Sequence, residues 1–134
     1  MTNQASPIFQ NERVLVVDDI TKWIETTKGN LTYYGCTLEN ITTAGNTREA
    51  LERYENTTLI ITDINFDINN LEDTQGLDLI KELRHNEYSN PIIAMSSLTG
   101  NIKERTIDVG ANYFLDKRNF IKDFDKFAKW YTRR

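Results

Sequence analysis

Val14-Leu15-Val16-Val17-Asp18-Asp19 is a run of four apolar residues, three of them valine, leading straight into two adjacent acids. Three further stretches repeat the design: Leu59-Ile60-Ile61-Thr62-Asp63, Pro91-Ile92-Ile93-Ala94-Met95-Ser96 and Asn112-Tyr113-Phe114-Leu115-Asp116-Lys117. Each is short and rich in β-branched, leucine or aromatic residues, so each reads as a buried strand. Each also ends in a residue able to bind or move a phosphoryl group. In an open parallel sheet, ligands bind in the crevice outside the carboxyl ends of the strands. Strands sharing one direction would therefore bring two or three carboxylates, a hydroxyl and an ammonium into one crevice.

The segments between these runs have helical character. Trp23, Ile24, Thr27, Leu31 and Tyr34 recur at helical spacing, which predicts helix 1 over Thr21 to Tyr34 with Gly35 as its stop. Thr37 to Thr43 reads as an edge strand. Asn46 or Thr47 is placed to cap a helix running through Tyr54. Gly76 to about Glu87 forms helix 3, with Leu77, Ile80 and Leu83 facing inward. A short, weakly apolar helix 4 runs from about Asn101 to Val109. Helix 5 runs from about Phe120 to Tyr131 on a stripe of Phe120, Phe124, Phe127 and Tyr131, with Trp130 off that stripe and expected to be exposed. Five strands alternating with five helices predict a doubly wound α/β fold. Residues 1–11 are expected to be a flexible N-terminal tail, and 12–134 one domain with no internal repeat and no long linker.

Composition narrows the function. The chain has 134 residues, 39% of them hydrophobic, enough for one ordinary globular core. A formal net charge of −4 argues against a nucleic-acid binder held by phosphate contacts, and only Lys117-Arg118 and Arg133-Arg134 suggest a basic patch. Cys36 is the only cysteine, which rules out an intrachain disulfide and suits a reducing, cytoplasmic setting. No apolar run approaches the roughly 18 residues of a membrane span, and the polar N-terminus has no signal-peptide core. The lone histidine, His85, has no metal-ligand partner in sequence and reads as surface.

The ordered strand ends resemble the receiver domain of two-component response regulators, the CheY-like superfamily, over roughly Arg13 to Tyr131. The segment Gly110-Ala111-Asn112-Tyr113-Phe114-Leu115-Asp116-Lys117 is similar to the family's signature around its lysine. The resemblance implies a flavodoxin/CheY-like (βα)5 fold whose five-stranded parallel sheet has the order 2-1-3-4-5. It implies Asp63 as the phosphoacceptor, with Ser96 and Lys117 contacting phosphoryl oxygens. Asp18, Asp19 and Asp63, with the backbone carbonyl of Asn65, would hold Mg2+, Asp18 largely through water. Ser96 and Phe114 would act as switch residues. The implied partners are a histidine kinase as donor and a downstream protein target. The switching surface would be that of helix 4, strand 5 and helix 5, which could also support a homodimer. No output domain follows helix 5 in this sequence, so the reading is of a stand-alone signalling module rather than an enzyme.

Three departures from the family pattern stand out. Phe66 and Asp67 occupy positions where a Met-Pro-like pair is usual, and Gly76 follows Asp63 by 76 − 63 = 13 positions, so the loop is about five residues longer. Its acids Asp67, Glu72 and Asp73 read as a solvated loop. Arg118 stands where a proline normally follows the lysine, which predicts a trans peptide. Leu98, two after Ser96, puts an apolar side chain where a polar one often tunes hydrolysis, and predicts slow self-dephosphorylation. The alternative is a pseudo-receiver, a phosphate-independent interaction module. An aspartyl-phosphate phosphatase ranks last, because such enzymes place D-x-D after the first strand, whereas Asp18 and Asp19 are adjacent.

Overall fold

The computed structural model describes residues 7–66 and 73–134. Strands β1 (Val14–Val17), β2 (Ile41–Ala44), β3 (Leu59–Asp63), β4 (Ile92–Ser96) and β5 (Tyr113–Asp116) form one parallel sheet in the order β2-β1-β3-β4-β5. They alternate with α1 (Thr21–Tyr33), α2 (Thr47–Arg53), α3 (Gln75–His85), α4 (Ile102–Asp108) and α5 (Phe120–Arg133). This is the doubly wound α/β architecture implied by the sequence. β1 and β3 lie side by side at its centre, with Val17 opposite Thr62. One residue beyond that pair stand Asp18 and Asp63, so the register alone makes them neighbours.

Successive strand side chains point to opposite faces. Val14 and Val16 join Leu31 of α1 and Phe124 and Phe127 of α5 on one side of the sheet. Leu15 and Val17 join Ala50 of α2 and Leu79, Ile80 and Leu83 of α3 on the other. Both faces are covered, which is why β1, β3 and β4 read as continuous apolar runs.

Local chemistry sets the element ends. Gly35 takes φ 98° just past α1, a left-handed conformation that favours glycine. The Asn46 side chain caps α2 by accepting from the Glu49 N–H at 2.9 Å, and Glu49 Oε1 accepts in turn from the Gly45 N–H at 2.9 Å. The edge strand starts later than expected. Leu38–Asn40 form a 3-10 turn, closed by the Asn40 N–H on the Thr37 carbonyl, and pairing with β1 begins only at Ile41.

The N-terminal tail expected over 1–11 is corrected from Pro7 onward. Phe9 is fully buried, and its ring lies 5.6 Å from that of Phe127 and 5.0 Å from that of Tyr131. Its N–H donates to the Tyr34 carbonyl at 3.0 Å, and the Tyr131 hydroxyl donates to Glu12. This segment therefore covers the seam between α1 and α5. Trp130 is also corrected: it is half-buried and packs 5.1 Å from Tyr113, ring centre to ring centre, because β5 presents an aromatic to that flank of α5.

Phe9→Ala is expected to lower the unfolding free energy by about 3–5 kcal/mol, the cost of truncating a buried phenylalanine. Urea denaturation checks this. A loss below about 1 kcal/mol would mean that the α1–α5 seam closes without Phe9.

Candidate functional site

Asp63 closes β3 with 4% of its surface exposed, and Asp18, just past β1, is fully buried. Asp19 beside it is exposed. One carboxylate oxygen from each of the three lies within 4.8 Å of the other two. Lys117 follows β5 and is also buried. Its ammonium donates to Asp18 Oδ2 at 2.7 Å and pairs with Asp63 Oδ1 at 3.1 Å. The other Asp18 oxygen accepts from the Ile20 N–H at 3.0 Å. Ser96 ends β4, and its hydroxyl oxygen accepts from the Leu98 N–H at 2.9 Å. Asp19, Asp63, Asn65, Ser96 and Lys117 line one cavity of about 170 Å³.

The structure thus gathers all the predicted site residues except Phe114 around one crevice. Phe114 is half-buried against the α3 side of the core and lines a second cleft of about 520 Å³, among residues of α4, β5 and α5. Leu98 borders both cavities.

Burial pushes the Asp63 carboxyl up to about 7; Lys117 opposes that shift and Asp18 adds to it. Asp18 is raised for the same first reason, with Lys117 opposing. Three carboxyl groups face one ammonium here, two of them buried and the third, Asp19, exposed at the rim. Such a set accepts a hard cation. Magnesium prefers carboxylate and carbonyl oxygens and keeps several waters, and the donors here are all oxygens at the rim of a small cavity. The residues present fit Mg2+.

The start of α3 lies tightly behind Asp63. A Cβ on Gly76 would lie 2.4 Å from the Asp63 carbonyl oxygen and 2.5 Å from Ile64 Cα. The Gly76 N–H donates to the Ile64 carbonyl at 2.9 Å. Only glycine allows this approach, so the first turn of α3 packs directly on the backbone of Asp63 and Ile64. Arg118 forks onto Asp116, with Nε 2.9 Å from Oδ1 and Nη2 2.6 Å from Oδ2, and no cis peptide occurs among the described residues. With Lys117 buried and Arg118 paired, the basic patch suggested there is not a free one.

By its spacing, Trp23 reads only as part of the α1 core stripe. Its ring lies 4.8 Å from the Lys117 ammonium, packs edge-on against Phe120 at 5.3 Å, and walls the cavity. An aromatic face stabilises a desolvated cation. The sequence signal was its place in the first turn of α1: helical side chains lean toward the N-terminus, which here means toward Asp18 and Asp19.

A carboxyl whose folded pKa lies above its unfolded value holds more protons when folded, so the fold loses stability as pH rises between the two. For Asp63 that window runs from 3.8 to about 7. In EDTA, the melting temperature of the wild type relative to that of Asp63→Asn is therefore expected to fall as pH rises across this range. Equal slopes in the two proteins would contradict the buried titration of Asp63.

The family model for the response regulator receiver domain matches residues 14–127. The chain is 25% identical to the chemotaxis response regulator CheY4 of Vibrio cholerae, covering 88% of this chain and 96% of that one, with a TM-score of 0.68. It is 25% identical to the receiver domain of NtrX from Brucella abortus, with the same coverages and a TM-score of 0.71. A two-component response regulator from Clostridium difficile shares the fold at a TM-score of 0.75 and 24% identity, covering 92% of this chain and 98% of that one. No curated protein matches. With the family model spanning β1 to α5 and the strand-end residues meeting in one crevice, the chain belongs to the response regulator receiver domains of two-component signalling.

Proposed function

We propose that this chain is a single-domain response regulator that accepts a phosphoryl group on Asp63 from a histidine kinase, with Mg2+, in the cytoplasm. The observation that carries the reading is the Asp18–Lys117–Asp63 constellation at the carboxyl end of β1, β3 and β5. An Asp63 carboxylate oxygen would attack phosphorus, forming an O–P bond as the donor's N–P bond breaks and the electron pair leaves with the imidazole nitrogen. Bound at Asp18, Asp19, Asp63 and the Asn65 carbonyl, Mg2+ would supply charge neutralisation on the phosphoryl oxygens. Lys117 would keep its ammonium on the acceptor side and offer a point charge to a second oxygen. Ser96 would donate its hydroxyl proton to a third.

The output surface in this reading is the cleft among α4, β5 and α5. Phe114, Tyr113 and Leu98 line it with Lys103, Glu104 and Lys126, a mixed apolar and charged rim suited to a protein target or to a second copy. The chain acts by changing that surface, not by turning over a substrate. One observation favours a phosphate-independent module instead: Lys117 already bridges two of the three carboxylates, so the crevice is partly neutralised without a metal.

Intact mass after incubation with acetyl phosphate separates the two readings. A gain of one phosphoryl group that needs Mg2+ and is lost in Asp63→Asn supports the receiver. No gain, together with no Mg2+ binding, supports the module. Leu98 adds a kinetic expectation. Its apolar side chain borders the crevice and cannot orient a water, so Leu98→Asn is expected to shorten the phosphoryl lifetime severalfold. An unchanged decay, followed by mass, would remove Leu98 from control of hydrolysis.

A further inference from the structure

We infer that Asp73 is a positioning residue for the magnesium site: it fixes and polarises the peptide whose carbonyl, at Asn65, would be the third protein ligand. The inference rests on the magnesium reading above. Asp73 Oδ2 accepts a hydrogen bond from the Phe66 N–H at 3.0 Å, and Oδ1 accepts from the Gln75 N–H at 3.1 Å. The Phe66 N–H and the Asn65 carbonyl belong to one planar peptide unit, and in a trans peptide they point in opposite directions. Holding the N–H therefore sets where the carbonyl points. The hydrogen bond is also charge-assisted, and drawing on the N–H raises electron density at the carbonyl oxygen of the same amide. Outer partners of this kind orient metal ligands and strengthen them.

The surroundings strengthen the case. Asn65 lines the crevice beside Asp63. The residue before it is anchored by the Gly76 N–H on the Ile64 carbonyl, and the residue after it by Asp73. The backbone at Asn65 is thus clamped on both sides, and both clamps come from the start of α3 or the residues just before it. In a loop about five residues longer than the family pattern, without its proline, the Asp73 carboxylate performs the restraint. Sequence position alone gave no hint of this, because Asp73 lies among other acids and reads as solvated.

A simpler role would be to stabilise the start of α3 through the Gln75 N–H, and a third would be a general electrostatic pull on the cation. Calorimetric titration with MgCl2 on the whole chain distinguishes them. Asp73→Ala is expected to bind Mg2+ about tenfold more weakly than the wild type. Asp73→Asn keeps one acceptor oxygen for two donors and can still serve Gln75, so an intermediate loss of about threefold is expected. Asp78→Asn removes an exposed charge from the first turn of α3 without touching either N–H, and should bind like the wild type. Melting in EDTA reports whether each variant folds; should the alanine variant fail to fold, the asparagine variant decides.

Wild-type Mg2+ binding with unchanged affinity in the folded Asp73 variants would overturn the positioning role and leave the receiver reading standing. Equal weakening in Asp78→Asn and Asp73→Asn would also overturn it, in favour of a bulk charge effect. Absence of Mg2+ binding by the wild type would overturn the magnesium reading itself, and this inference with it.

Discussion

Everything at the functional end of this molecule depends on one buried ammonium lying between two buried carboxylates. Lys117 and Asp18 are 99 positions apart in the chain, yet their atoms meet at 2.7 Å, and Asp63 lies 3.1 Å away on the other side. Burying three charged groups carries a large desolvation penalty, and apolar residues of similar size would often be at least as stable. The arrangement therefore makes little sense as a device for stability. It makes sense as the oxygen-rich, ammonium-bearing crevice that the proposed phosphoryl transfer would use. The elevated Asp63 carboxyl expresses the same desolvation: burial raises it, and the neighbouring Lys117 ammonium offsets only part of that rise.

The sheet delivers that crevice, and the sheet was legible. Val14–Val17, Leu59–Asp63 and Ile92–Ser96 are apolar on both faces, so their strand character needed no tertiary knowledge. Once they were placed in parallel, the rule that ligands sit at the carboxyl ends turned positions 18, 63, 96 and 117 into neighbours. The parts that stayed hidden are those where one residue, not a period, decides the structure. Phe9 is a lone aromatic in a polar stretch and gives no periodic signal, yet it fills the seam between α1 and α5. Leu38, Glu39 and Asn40 alternate like a strand but close a 3-10 turn, because strand character there depends on pairing with β1, which starts at Ile41. Trp23 fitted a helical stripe so well that its second role, facing Lys117, was masked by the first.

The long loop after Asp63 shows how a departure from a family pattern can be absorbed. A proline restricts a backbone by fixing φ. A glycine allows two backbones to touch, and a carboxylate can restrain two N–H groups at once. This chain keeps the glycine contact at Gly76 and replaces the covalent restraint with hydrogen bonds from Phe66 and Gln75 to Asp73. The loop's length is then largely independent of the geometry at Asn65, because both flanks of that residue are tied to the start of α3. A hydrogen-bonded restraint also competes with water, in a way that a proline ring does not.

Leu98 provides the physical link between the crevice and the surface among α4, β5 and α5, since it borders both. Its backbone N–H is held by Ser96 Oγ at 2.9 Å. That oxygen accepts from Leu98 while the hydroxyl proton can be donated elsewhere. An oxygen arriving on Asp63 would be a strong acceptor for that proton, and any movement of Ser96 toward it would carry the N–H of Leu98 along. The Leu98 side chain would then shift against the wall that Phe114 shares. Because packed side chains rearrange between discrete states and do not deform continuously, such a movement would be passed to the neighbouring cleft.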